Sequence, residues 1–375
     1  MAALHEQLLA KDVDINPQSD SPLFKLFPPE IRSKIFQYTL TDYEDTSSQS
    51  KYEESTCYTR PSYFARRRTS AELVQTCRAV YRETWFLPVI LREQVIWLAQ
   101  SDRQPPFYNQ VRDLQKYTTQ ISQWNGQEFL AQDENGHGEG KTTSASPSDQ
   151  RVEIESMQVF AQMYKLEEGG LARIMKMKHW YARKITLTIR HTDWWYWEDD
   201  ELLSFEGSWL KGVNAQMSSS TREFRIELES LERKKDQVDM IAKQMSQRWF
   251  FKRPDGVVLY PDASEASKEV SRWQGTSIWH QKRWIRDETE QGKLEYYIRT
   301  ITFLPEHVLL ARGGTVSEKA REMVSAKTFD KSWYKLQATG EKLEVEVPCI
   351  IDPPPRVTRQ SGPQQHRHGY RVTHE

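Results

Sequence analysis

The chain of 375 residues carries 52 basic and 53 acidic side chains, a formal net charge of −1. That near-balance excludes a global field of either sign that would draw the protein onto nucleic acid or an anionic membrane. Its three cysteines, Cys57, Cys77 and Cys349, have no paired spacing, which argues against a disulfide framework or a cysteine zinc site and fits the cytosol or nucleus. No run of residues approaches the roughly 20 apolar positions of a membrane span, and residues 1–20 lack the apolar stretch behind a basic start that marks a secretory signal.

Residues 1–20 are polar and read as a flexible leader, in which Leu4, Leu8 and Leu9 give only a marginal helical pattern. Pro28 and Pro29 then set an extended entry into a helix, where a missing amide hydrogen costs nothing and Glu30 suits the dipole. The spacing predicts a helix over Pro29–Leu40 with Ile31, Ile35 and Tyr38 on its buried face and Arg32, Lys34 and Gln37 turned to water. Such a helix is too short to stand alone.

Residues 41–68 are rich in Ser, Thr, Tyr and charge, with little to bury, and are expected to loop out. Arg66-Arg67-Arg68-Thr69-Ser70 has the pattern of a basophilic kinase site, although three arginines are more often just a solvated stretch. Thr69 and Glu72 supply a capping box for a second helix that buries Leu73, Cys77, Val80 or Tyr81, and Thr84, and that Pro88 ends.

These two segments resemble an F-box. Leu26 to Leu40 is similar to its first helix, with a proline-led start, the acidic Glu30, then Ile31 and, a turn later, Ile35-Phe36. Leu73 to Trp85 resembles its later part, with Cys77-Arg78 followed by Tyr81 and Glu83, and the order of the two is that of fungal F-box-like proteins. An F-box is normally compact, so the 41–68 insert is a departure. The resemblance implies docking on a Skp1-like adaptor of a cullin ubiquitin ligase through Pro29, Ile31, Ile35, Phe36, Leu73, Cys77 and Tyr81, while the remaining chain holds an unknown target protein. Burying Ile31, Ile35 and Phe36 is worth about 1.5–3 kcal/mol each whatever covers them. The pattern therefore leaves open a self-contained scaffold in which the helix pair packs on its own core.

Val89–Leu98 is β-prone and is expected to be the first strand of a mixed α/β domain over residues 89–352. Val111–Leu130 has helical spacing, with a Thr118-Thr119 pair that favours a strand instead, and 131–150 is a polar loop whose Gly138–Thr143 ends like a phosphate-binding loop but lacks its first glycine, Asn135 standing there. Val152–Met177 reads as a helix interrupted at Gly169-Gly170. Ile185, Leu187 and Ile189 alternate with polar residues, as do Phe224, Ile226 and Leu228, so both stretches predict strands with one buried face. A helix over Ser230–Trp249, burying Leu231, Val238, Ile241, Met245 and Trp249, then leads to a strand at Val257–Tyr260, an arrangement expected to join parallel strands. Further strands are predicted at Tyr296–Phe303 and Leu343–Val347, and residues 353–375 read as a disordered tail whose histidines have no fixed geometry. The expected fold class is α+β: F-box-like N-terminal helices followed by a two-layer, partly open β-sheet with helices on one face.

His191-Thr192-Asp193-Trp194-Trp195-Tyr196-Trp197 follows a strand end, where loops often carry binding residues. Tryptophan faces beside carboxylates suit a cationic guest, so His191, Asp193, Trp194, Trp195 and Trp197 form a candidate recognition surface, set against the alternative that they are core or lid packing. No catalytic, cofactor or metal signature is recognisable. The function expected is that of a non-catalytic protein-interaction adaptor, with a self-contained scaffold, or an enzyme built from dispersed residues such as His191 and Asp193, as the alternatives.

Overall fold

A stretch that alternates Ile185, Leu187 and Ile189 with Thr186, Thr188 and Arg190 makes one dry and one polar sheet face, and the Phe224–Glu229 stretch repeats the pattern. In the structure, a computed structural model, these two stretches lie side by side in parallel within an eight-stranded mixed sheet. It describes residues 2–10, 15–106, 110–133, 152–264, 269–279, 282–326 and 331–340.

Helices Ala2–Leu9 (α1), Pro29–Leu40 (α2), Arg78–Thr84 (α3) and Leu87–Leu91 (α4) precede the edge strand Gln94–Leu98 (β1). Gln110–Asp133 (α5) is followed by Glu153–Ala161 (β2), two short helices at Met163–Glu167 (α6) and Gly170–Met175 (α7), Tyr181–Ile189 (β3) and Glu223–Leu231 (β4). Lys235–Arg248 (α8) leads to Phe251–Lys252 (β5) and Val258–Pro261 (β6), and then to the antiparallel pair Glu269–Thr276 (β7) and Lys293–Pro305 (β8). The sheet order is β1-β2-β3-β4-β8-β6-β5, with β7 on the other part of β8. β1 to β4 are parallel, and β8 is antiparallel to each of its neighbours.

The α+β class is as expected, with helices over the dry face. Val159, Leu187, Ile226 and Phe303 of that face share one core cluster with Val238, Ile241 and Met245 of α8. The connection through α8 joins β4 and β6, which run in the same direction because both are antiparallel to β8. They are not adjacent, since β8 lies between them. No helix among the described residues is long and apolar enough to cross a membrane.

Four expectations are corrected. The stretch beginning at Val152 is not a helix down to Met177 but the strand β2, then α6 and α7, separated at Gly169 with φ 78°. Ile154, Met157, Val159, Phe160 and Ala161 are all buried, and a strand covered on both faces loses the alternation that would announce it. The second N-terminal helix is broken as well. Leu73–Gln75 is a 3-10 turn without a side-chain cap, Cys77 is extended, and Pro88 sits in the first turn of α4 rather than after a helix end, so the strand begins at Gln94 and not at Val89.

The insert 41–68 does not loop out. Tyr58 and Tyr63 pack on Val95, Trp97 and Phe160 on the second sheet face, while Arg60 and Ala65 are buried. Tyr43–Glu44 pairs with Arg67–Arg68, and Arg67 makes an ion pair with Asp42, so the basic run is partly structural. Nor is the leader wholly free. His5 sits edge-on to Trp85 at 4.6 Å, and the guanidinium groups of Arg78 and Arg82 donate to carbonyls at the end of α1, satisfying groups a helix terminus leaves open. The phosphate-loop-like segment, the Leu343–Val347 strand and the 353–375 tail lie outside the described residues.

Ile226 is fully buried in the central strand β4. Ile226→Ala should lower unfolding free energy by about 2–5 kcal/mol, measured by urea denaturation with an unchanged dependence on denaturant.

Candidate functional site

Helix α2 has two apolar sides. Phe36 and Leu40 are buried against Val74, Val80 and Leu87, and Arg32 reaches Glu83 at 2.8 Å across the gap to α3. Arg32 also lies over the Phe24 ring at 4.9 Å. It therefore turns inward, not to water as the spacing suggested. Conversely, the row predicted to be buried faces out: Ile31 is 41% exposed and Tyr38 85%, Ile35 is half-buried, and Leu26 and Phe27 extend the row beyond the helix start. Two apolar sets share this helix; Phe36 and Leu40 are the ones covered, by Val74, Val80 and Leu87, with Arg32 beside them in its ion pair to Glu83.

Of the other residues implied in docking, Pro29 is exposed, while Leu73, Cys77 and Tyr81 are partly buried around the Phe36 cluster. The structure thus brings Leu73 and Cys77 to the inner side of the helix pair, and leaves the outer row to Leu26, Phe27, Ile31, Ile35 and Tyr38.

The candidate recognition surface after β3 is mostly interior. His191, Asp193, Trp194 and Trp197 are buried, and only Trp195, at 40%, is exposed among the five. Asp193 accepts two hydrogen bonds from the Arg190 guanidinium, at 2.6 and 2.9 Å. The same guanidinium donates to the carbonyls of Cys57 and Arg103 and lies 5.0 Å from the Trp97 ring. Trp194 donates from Nε1 to the Glu229 carbonyl at 2.8 Å, and Trp197 packs with Trp279 and Trp284. These contacts match the core-packing alternative and leave only Trp195 of the recognition surface open: a large ring at a strand end gains more from burial than from water.

Charge fixes the far end of this loop. Asp200 pairs with Arg233 and Lys234, both at 2.7 Å, and Arg233 also holds Asp287, which Arg286 flanks. His191 stands beside this network with its ring 5.4 Å from Trp197, and burial pushes its pKa down to about 3, opposed by Asp287 and aided by the nearby cations. It is a neutral imidazole at physiological pH.

The polar sheet face holds residues that the sequence did not single out. Gln158 donates to Thr188 at 2.7 Å, Thr188 to Glu227 at 2.6 Å, and Arg60 of the insert approaches Glu227 at 3.3 Å and Glu229 at 3.7 Å. Trp273 of β7 donates to Glu229 at 3.2 Å, and burial raises the Glu229 carboxyl. Thr188 and the carboxylates at 227 and 229 are legible in the sequence as the polar side of two alternating strands; that Arg60 meets them could not be read from it. Among known proteins, no family model, curated protein or solved structure matches the chain.

Asp193→Asn should destabilise the fold by about 3–5 kcal/mol in chemical denaturation, because it leaves the Arg190 charge buried without its partner. The His191 shift carries a pH dependence of definite sign. Between its unperturbed value of 6.5 and about 3 the unfolded chain binds this proton and the folded chain does not. Stability is therefore lost as pH falls through that window, and His191→Phe should flatten the slope by up to ~1.4 kcal/mol per pH unit in thermal or urea unfolding.

Proposed function

We propose that the protein is a non-catalytic interaction adaptor whose helix α2 docks on a Skp1-like adaptor of a cullin ubiquitin ligase, leaving the sheet domain to hold a target protein. The observation that supports this is the outer row of α2: Ile31 and Tyr38 are exposed on a helix whose opposite side is already anchored by Phe36 and Leu40. An apolar row of this kind suits helix-in-groove recognition, in which anchors recur at helical spacing. Covering each large side chain would contribute about 1.5–3 kcal/mol. The resemblance of Leu26 to Leu40 to the first helix of an F-box is the reason a Skp1-like adaptor is the partner proposed.

A double substitution, Ile31→Asp with Tyr38→Asp, separates this proposal from a self-contained scaffold. Co-purification with the Skp1-like adaptor should be lost while the melting temperature changes by no more than a few degrees, because surface substitutions away from packed features cost within about ±0.5 kcal/mol. Retained binding, or a sharp fall in melting temperature, would return α2 to a purely structural role.

A further inference from the structure

At the β5 edge of the sheet, the helices Leu210–Gln216 and Glu318–Ser325, the end of α8 and the 3-10 turn Lys331–Trp333 surround a cavity of about 490 Å³. That volume lies within the ~300–1,000 Å³ of small-molecule sites. Lys211, Ala215 and Lys252 line it and are exposed, so the cavity opens to solvent on their side.

The inner part is apolar. Phe250 and Met323 belong to one core cluster with Val324 and Trp333, and the last two are only half-buried, as is Tyr334. All five line the cavity, so ring and aliphatic surface that the core leaves uncovered is turned to it.

The rim is cationic. Lys211, Arg248, Lys252 and Arg253 line the cavity with no Asp or Glu among the described lining residues, a local segregation in a chain of 52 basic and 53 acidic side chains. Arg253 is engaged, by Asp255 at 3.0 Å and by the Thr221 carbonyl at 3.0 Å, and Arg248 reaches the Lys335 carbonyl at 3.5 Å. The ammonium groups of Lys211 and Lys252 have no hydrogen bond or ion pair among the described residues. Asn214 accepts a hydrogen bond from the Lys252 backbone N–H at 3.2 Å, which ties the helix Leu210–Gln216 to β5, and Lys211 sits one turn before Asn214 on the same helix face. Two free cations therefore flank one opening into an apolar cavity. Like charges gathered beside a low-dielectric wall attract an anion, and only an anion carried on an apolar body gains from the rim and the interior at once.

We infer that this cavity binds a small amphipathic carboxylate, its apolar body against Met323, Val324 and Trp333 and its carboxylate between Lys211 and Lys252. Isothermal titration of the full chain with 2-naphthoate and with decanoate tests this, with 2-naphthalenemethanol and 2-naphthylmethylamine as the neutral and cationic comparisons. At least one carboxylate is expected to bind saturably, about ten-fold or more tighter than the alcohol or the amine, and Lys211→Glu combined with Lys252→Glu should weaken it about ten-fold or more. The melting temperature should stay within a few degrees, since both side chains are exposed. Ala215→Trp, at the exposed opening, should weaken binding by filling the cavity, and it carries the test if the charge variant does not fold. No saturable binding of either carboxylate, binding of the alcohol or amine as tight as theirs, or an affinity unchanged in the folded variants would overturn the inference. The α2 docking row shares no residue with this cavity, so either result leaves that reading as it stands.

Discussion

The buried guanidinium of Arg190 is the constraint on which the end of the sheet depends. The residue is 2% exposed, and it joins the end of β3 to Asp193, to the carbonyl of Cys57 in the insert, and to that of Arg103 after β1. Two charges removed from water cost several kcal/mol each, and only a close two-fold pairing with every remaining donor occupied offsets this. Such a pair gives little net stability. What it imposes is geometry: the insert can lie on the polar sheet face in only a few ways once Cys57 must accept from Arg190.

That geometry explains why a segment so poor in aliphatic residues is folded. Tyr58 and Tyr63 supply the apolar area, and Arg60 matches the carboxylates that alternation places on the outward side of β4. The polar face becomes a second packed surface built from hydrogen bonds and rings, while the dry face packs in the ordinary way on α8.

The N-terminal helices follow another logic. α2 is held from within by Phe36, Leu40 and the Arg32–Glu83 pair, so its outer row is presented on a rigid support. Rigidity lowers the ordering cost of association. The outer row of α2 and the packed polar sheet face are built by different parts of the chain.

Ile185, Leu187, Ile189, Phe224, Ile226 and Leu228 announce two strands with a dry face, and α8 shows its stripe of Val238, Ile241 and Met245. Local periodicity by itself determined these elements and the α+β class. Only the tertiary structure decided that 153–161 is a strand, that the insert is packed, and that Ile31 and Tyr38 rather than Phe36 face outward. Each of those outcomes depends on what lies opposite a residue in space: a second covered face erases a strand's alternation, a distant carboxylate turns Arg60 into core, and Val74, Val80 and Leu87 cover the Phe36 side of α2. Spacing along the chain reports which side chains share a face, while the choice between two such faces belongs to the partners that folding brings up against them.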